Sequence, residues 1–273
     1  MIANLWHRLL VTLFLGLLIA LSPATQAQKP DPNQEISNKV IAAIRFEGFK
    51  NLDAEEMRSK LELKEGGLFD EDTLKSNVLI IEKSLRERGY MYVQVKEVRA
   101  EPVKDDRLKL VFVIDSGDLY RVNELKLTGN DTFTSNQIAP TTHVVVGKLY
   151  SGSALEQDRE MITSFYGARG YADASVEISS MEMGKGSLRM EYHIDEGKKS
   201  LLQEVRISGN SNVKAEEIRK EFRLAPGDVF NTVLIEKGRQ ALLRTGLFKT
   251  VEVSGVPAAK PGFKDLEITV KEK

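Results

Sequence analysis

Short runs of alternating apolar and polar residues, each ended by a glycine, return at a fixed interval along this chain. Ile44-Arg45-Phe46-Glu47-Gly48, Leu125-Lys126-Leu127-Thr128-Gly129 and Val205-Arg206-Ile207-Ser208-Gly209 follow one another in steps of 81 and 80 residues. Gly66, Gly147 and Gly227 repeat with the same steps, each three residues before an aromatic: Phe69, Tyr150 and Phe230. Arg88-Gly89-Tyr90 recurs as Arg169-Gly170-Tyr171, and its third counterpart is Thr245-Gly246-Leu247-Phe248. Ile114-Asp115-Ser116-Gly117 recurs as Ile194-Asp195-Glu196-Gly197. Landmarks kept in one order at one period define three tandem copies of a module of about 80 residues.

The pattern inside a copy predicts its elements. The first strand turns Ile44 and Phe46 to one face and Arg45 and Glu47 to the other, and its glycine ends it at a positive φ. A helix then opens on Asp53 with Glu56, or Thr134 with Gln137, at capping-box spacing; Lys214 with Glu217 is a weaker start. Leu52, Phe133 and Val213 take the staple position opposite Met57, Ile138 and Ile218. Gly66, Gly147 and Gly227 are expected to stop this helix. A second helix opens on Asp70, Ser151 or Asn231, and in the first copy Leu74, Val78, Ile81 and Leu85 form its apolar stripe. Second strands are expected over Tyr90–Val95, Ala174–Ile178 and Val251–Val253. Third strands alternate most cleanly, through Leu108, Leu110, Phe112 and Ile114, then Leu188, Met190, Tyr192 and Ile194, then Leu266, Ile268 and Val270. Each copy is therefore expected to be a βααββ, α+β module, a three-stranded sheet covered by two helices. The expected boundaries are 40–117, 118–198 and 199–273, with no flexible linker between them, so a stiff or hinge-limited rod is anticipated.

The first 27 residues stand outside the repeat. Arg8, the uncharged run Leu9–Leu21 and the exit Ser22-Pro23-Ala24-Thr25-Gln26-Ala27 have the order of a cleaved secretory signal peptide. The apolar run is short of the roughly 20 residues a membrane span needs, although retention as an anchor remains the alternative. Residues 28–39, polar and containing Pro30 and Pro32, read as a flexible tail. Export is thus expected.

Composition then removes function classes. There is no cysteine, so disulfides, zinc–thiolate sites, thiol nucleophiles and a lipidated N-terminal Cys are all excluded. Without Arg8, 38 basic residues face 40 acidic ones, and no basic stripe suggests nucleic acid. His143 and His193 are the histidines beyond the leader and would form a metal pair only if folding joined them. Gly184-Lys185-Gly186-Ser187 lacks the full phosphate-loop order and reads as a hairpin turn. Glu55-Glu56 and Asp195-Glu196 are sequence neighbours that do not face each other, hence solvated surface. Phe69, Tyr150 and Phe230 recur at one place in every copy and read as core. No catalytic residue, metal or cofactor is expected, and the chain does not read as an enzyme.

The residues resemble a known family, the polypeptide-transport-associated (POTRA) repeats of the outer-membrane β-barrel assembly factor, BamA type. The strand-Gly-Asn elements (Leu127-Thr128-Gly129-Asn130, Ile207-Ser208-Gly209-Asn210), the Gly-x-x-aromatic junction, the Gly-Tyr or Gly-Leu-Phe corner and the closing Ile-Asp-x-Gly carry the likeness over residues 40–273. Such proteins continue into a membrane barrel; here Lys273 follows the last strand, and a chain lacking the barrel is expected. The resemblance implies a scaffold or chaperone-like adaptor in outer-membrane protein assembly, in the periplasm and associated with the outer membrane. Its partners would be unfolded outer-membrane proteins or an outer-membrane barrel, with no small-molecule substrate. It also implies that the second strand is the open edge, which an extended peptide joins by strand addition. That places the candidate site at Tyr90, Tyr92, Val93, Val95, Ala174, Val176, Ile178, Val251 and Val253. A structural tether between envelope complexes, in division or secretion machinery, is the competing role.

Overall fold

The structure, a computed structural model, describes residues 39–49 and 52–273. The expected leader, and the expected tail except Lys39, lie outside the described residues. The first module runs β1 (Val40–Glu47), α1 (Ala54–Lys60), α2 (Glu71–Arg86), β2 (Gln94–Val103) and β3 (Arg107–Asp115). The second runs β4 (Arg121–Thr128), α3 (Ser135–Ile138), a 3-10 turn over Ala139–Thr141, α4 (Gly152–Gly167), β5 (Ser175–Gly184) and β6 (Ser187–Asp195). The third runs β7 (Leu201–Ser208), α5 (Ala215–Phe222), α6 (Thr232–Arg244), β8 (Phe248–Pro257) and β9 (Phe263–Glu272). Three βααββ modules in tandem are the architecture, each with its own three-stranded sheet.

Every sheet has the same order, first strand, third strand, second strand: β1-β3-β2, β4-β6-β5 and β7-β9-β8. The first strand runs parallel to the central third strand, and the second pairs with it antiparallel. A parallel neighbour needs a long crossover, which the helix pair supplies. The alternating third strands bury their apolar face under those helices: Leu108, Leu110, Phe112 and Ile114, then Leu188, Met190, Tyr192 and Ile194, then Leu266, Ile268 and Val270 are all buried. The apolar core of the first module draws its buried members from residues 41–114, and that of the third from 202–270. These two cores share no buried member, and Ala172 of the second module packs against the third.

Gly48, Gly129 and Gly209 end the first strands at positive φ. A Cβ there would lie 2.3, 2.2 and 2.0 Å from the carbonyl oxygens of Ile114, Ile194 and Val270, so no side chain fits. Asp53 accepts from the Glu56 N–H at 3.0 Å, and the Gln137 side chain accepts from the Thr134 N–H at 2.9 Å. Lys214 makes no side-chain cap.

The helix ends correct the sequence reading. The first helices stop at Lys60, Ile138 and Phe222, well before Gly66, Gly147 and Gly227. Leu61 leaves helical geometry and turns into the core with Leu63, Pro140 allows only a 3-10 turn, and Arg223 is left-handed at φ 51°. The glycines instead form a turn that returns to the first strand: Gly66, Gly147 and Gly227 donate N–H bonds of 2.7, 2.6 and 2.7 Å to Ile41, Val122 and Leu202.

By chain packing, the described residues up to Tyr120 with Leu149–Gly152 form one compact unit, and Arg121–Lys148 with Ser153–Lys273 form another. Among the described residues no helix is long and apolar enough to cross a membrane.

Candidate functional site: the sheet edges

Two strands of each sheet have an outer edge, and the two edges are treated differently. The first strand is partly covered. Ile41, Val122 and Leu202 donate N–H bonds to Gly67, Lys148 and Asp228 at 2.8, 2.9 and 2.8 Å, so the turn after the first helix already pairs with that edge. The second strands β2, β5 and β8 pair with one neighbour each, the central strand. Their outer backbone groups form the open edge that an added strand would need.

The nine residues expected there are not all on strands. β2 begins at Gln94, not Tyr90. Tyr90, Tyr92 and Val93 sit in the corner after α2, where the Val93 N–H bonds to the Tyr90 carbonyl at 3.2 Å. Tyr90 packs edge-on to Phe49 at 4.8 Å and Tyr92 edge-on to Tyr120 at 5.4 Å. Ala174 likewise precedes β5 by one residue, whereas Val95, Val176, Ile178, Val251 and Val253 are in strands. Val93, Val95, Ala174, Val176 and Val251 are buried. Their side chains belong to the cores, and the N–H groups of Val93, Val95 and Ala174 are already bonded to the Tyr90 carbonyl, the Glu82 carboxylate and the Tyr171 carbonyl. Residues turned outward on these strands include Gln94, Lys96, Glu177, Ser179, Glu252 and Ser254.

The three edges differ in how they are blunted. β2 has a register shift at Val95/Glu97 and carries Pro102; β8 has one at Phe248/Thr250 and ends in Pro257. Bulges and prolines are the usual guards of an exposed strand. β5 has no proline, and its register shift falls at Glu182/Gly184, at the hairpin end, leaving Ser175 to Glu182 in register. Met181 and Met183, which the sequence reading passed over, are 57% and 50% exposed on it. The Met-Glu-Met run beside a Gly-rich hairpin was the available signal. Flexible thioether side chains suit a surface that must accept varied partners.

The remaining candidates are structural. Lys185-Gly186 is the tight turn between β5 and β6. Phe69, Tyr150 and Phe230 are buried. Glu56 pairs with Lys60 at 2.8 Å and with Arg88 at 2.5 Å, and these hydrogen bonds, Lys60 first, hold its carboxyl down at about 2. Glu196 accepts from the Thr132 N–H and hydroxyl and from the Tyr166 hydroxyl, at 2.8, 2.5 and 2.9 Å. Burial pushes its carboxyl up, but the Thr132 bonds outweigh it and the net shift is downward. His143 Nδ1 lies 3.1 Å from Asp158, and His193 Nδ1 lies 3.2 Å from the Thr128 hydroxyl. Among the described residues no group of three or more His, Cys, Asp or Glu is placed to hold a metal ion.

Comparison with known proteins adds to this geometry. The POTRA family model, described as surface antigen variable number repeat, matches residues 39–117, 120–197 and 201–273. Outer membrane protein assembly factor BamA of Nitratidesulfovibrio vulgaris is 23% identical over 256 residues, which are 88% of this chain and 32% of that protein. A putative outer membrane protein assembly factor of Treponema pallidum is 26% identical over 214 residues, 74% of this chain and 25% of that protein. The crystal structure of Haemophilus influenzae BamA POTRA3-5 matches with a TM-score of 0.71 at 21% identity, covering 86% of this chain and 96% of that one; the likeness is one of fold. The chain spans about a third or less of the length of these curated relatives.

Proposed function

The chain belongs to the POTRA family, and from that premise we propose that it is a non-enzymatic scaffold in outer-membrane protein assembly. In this reading it works in the periplasm at the outer membrane, and holds unfolded outer-membrane polypeptides or a partner barrel by strand addition. Main-chain hydrogen bonds supply affinity without fixing sequence, which suits clients that share strand character and little else. The observation that carries the reading is the edge of β5, unbroken in register from Ser175 to Glu182, free of proline and flanked by exposed Met181 and Met183. β2 and β8 are the secondary edges, each limited by its bulge and proline.

Photo-crosslinking residues at Ser179 and Met181, both exposed, test this in the intact protein. An extended peptide from an outer-membrane barrel strand is expected to crosslink there, and far less at Lys126 on the partly covered β4. Equal yields at Lys126, or none on β5, would remove strand addition as the mode of binding.

A further inference from the structure

Arg88 and Arg169 hold the same place in modules 1 and 2, just before the glycine of the corner that follows the second helix. In module 1 Arg88 Nη2 meets the Glu56 carboxylate at 2.5 Å. Glu56 stands three residues after the N-cap Asp53. Its counterpart in module 2 is Gln137, a neutral amide that accepts the Thr134 N–H at 2.9 Å. Module 3 keeps the acid as Glu217 but has Thr245 in place of the arginine. Module 2 therefore has the cation without its carboxylate, and among the described residues no acid pairs with Arg169. Glu196, close by on Tyr166, is committed to that hydroxyl and to Thr132.

The surroundings of Arg169 have changed as well. Where module 1 has Leu52, Ser84 and Leu85, module 2 has Phe133, Phe165 and Tyr166. Phe133 meets Phe165 and Tyr166 edge-on at 5.2 Å each, and Tyr171 at 5.8 Å. The Arg169 guanidinium lies 3.6 Å from the Phe165 centroid and 5.6 Å from that of Phe133. Its Nη1 donates to the Phe165 carbonyl at 2.7 Å. A guanidinium stacked on a ring and tethered at one nitrogen is fixed in one plane. That leaves the Nε–Nη2 edge, the fork that takes a carboxylate through two parallel hydrogen bonds. Arg169 is exposed while Phe133, Phe165 and Tyr171 are half-buried, so the fork opens to solvent beside apolar ring surface.

We propose that Arg169 and this ring shelf bind a partner protein through a glutamate side chain followed by an aromatic residue. The partner's carboxylate takes the place that Glu56 fills in module 1, and its ring packs on the shelf that module 1 lacks. A glutamate side chain is the fitting source of the carboxylate, because a glutamate side chain occupies that place in module 1. The site goes beyond the client-binding reading and does not rest on it: side chains at the end of α4 carry it, and the main chain of β5 takes no part.

Titration of the intact protein with the capped peptide acetyl-SAEFAS-amide tests this, read by NMR at the amides of residues 165–171 and at the Arg169 Nε–H. A dissociation constant of about 0.1–1 mM is expected, the range of one charged fork and one ring. Two control peptides, acetyl-SAQFAS-amide without the acid and acetyl-SAEAAS-amide without the ring, should each bind more weakly. Arg169→Gln should weaken the first peptide about tenfold. Gln137→Glu should do the same with Arg169 still in place, because the new carboxylate recreates the Glu56–Arg88 pair and fills the fork. Glutamate suits that capping position, so this variant keeps its fold. A control peptide that binds as tightly as the first, no binding by about 5 mM, or an unchanged affinity in either variant would each overturn the proposal.

Discussion

At position 158 the second helix of module 2 carries a fully buried aspartate, and at the matching position 238 module 3 carries glycine. The two residues answer two different first helices. In module 2 that helix is four residues long and passes through Pro140 into a 3-10 turn, leaving the backbone at 143–144 without helical partners. Asp158 takes them over: it accepts from the His143 N–H, from the Val144 N–H at 3.1 Å and from the Tyr192 hydroxyl at 2.8 Å. In module 3 the first helix runs eight residues and ends in Phe222, which is buried. A Cβ on Gly238 would lie 2.7 Å from that ring and 2.9 Å from the Phe222 Cα. One module closes its core with a polar network where a helix is cut short; the other keeps the helix and removes a side chain to admit an aromatic. Module 1 stands between them, with Asn77 accepting from the Glu62 N–H at 2.7 Å. A scaffold can therefore vary the loops between fixed strands without losing its sheet.

The largest effect should come from breaking the polar solution. Asp158→Ala leaves two backbone N–H groups and the Tyr192 hydroxyl buried with no acceptor, at a cost of about 3–5 kcal/mol. Native-state hydrogen exchange reads this module by module: amides of β4 and β6 should lose protection while those of β9 keep theirs. Uniform loss across the three modules would mean that the cores are not independent. An unchanged pattern would mean that the network does not hold the shortened helix.

Next in size is the apolar solution. Gly238→Asn puts the residue of module 1 into module 3, where the Phe222 ring and backbone occupy its place. Overpacking of that kind costs about 1–3 kcal/mol, and the intrinsic gain of an exposed helix on losing glycine, about 0.5 kcal/mol, does not offset it. Exchange of α5 and α6 amides should speed up and the second module should be unaffected. A stabilised third module would show that Phe222 has room to move, and the contrast between the two modules would lapse.

Much of this architecture was legible because two periods carry it. The alternation through Leu108–Ile114 and its counterparts is a strand signal that burial on one face enforces, and the caps Asp53, Asp70 and Asn231 each accept the N–H three residues on. The errors have local causes. Tyr90-Met91-Tyr92-Val93 has strand composition, but the aromatic pairs with Phe49 and Tyr120 make it a corner. Glycine is a common helix stop, yet Leu61, Pro140 and Arg223 had already ended the helices upstream. Asp158 was invisible because an acidic residue on an amphipathic helix is solvated by default, and its partners lie 14 and 34 residues away. The strand order, which decides the edges, is set by parallel pairing across the helix crossover, and no local pattern encodes it; only the family resemblance pointed there. β5 stood out from β2 and β8 only once Pro102 and Pro257 were placed within those two strands and Met181 and Met183 were found exposed.

The smallest effect extends the comparison to the carboxylates at the ends of the central strands, Glu196 just past β6 in module 2 and Glu272 closing β9 in module 3. Glu272 accepts the N–H groups of Ser211, Asn212 and Val213 at 2.8, 3.0 and 3.0 Å, and those backbone bonds, Val213 foremost, hold its carboxyl at about 2 against an ordinary 4.5. A carboxyl depressed in the folded state adds stability that is fully present above its unfolded pKa and is lost as the pH falls through the folded one. The clamp on the loop after β7 should thus be complete above about pH 4.5 and gone near pH 2. Glu272→Gln should lower the protection of the 211–213 amides at pH 6, and this difference from the parent should shrink steadily toward pH 2. Glu196 spends two of its bonds on the Thr132 and Tyr166 hydroxyls instead, so Glu196→Gln should disturb fewer backbone amides. Parallel pH profiles for the parent and Glu272→Gln would show that the loop is held by Asn210, whose side chain donates to the Val213 carbonyl at 2.9 Å, and not by the carboxylate.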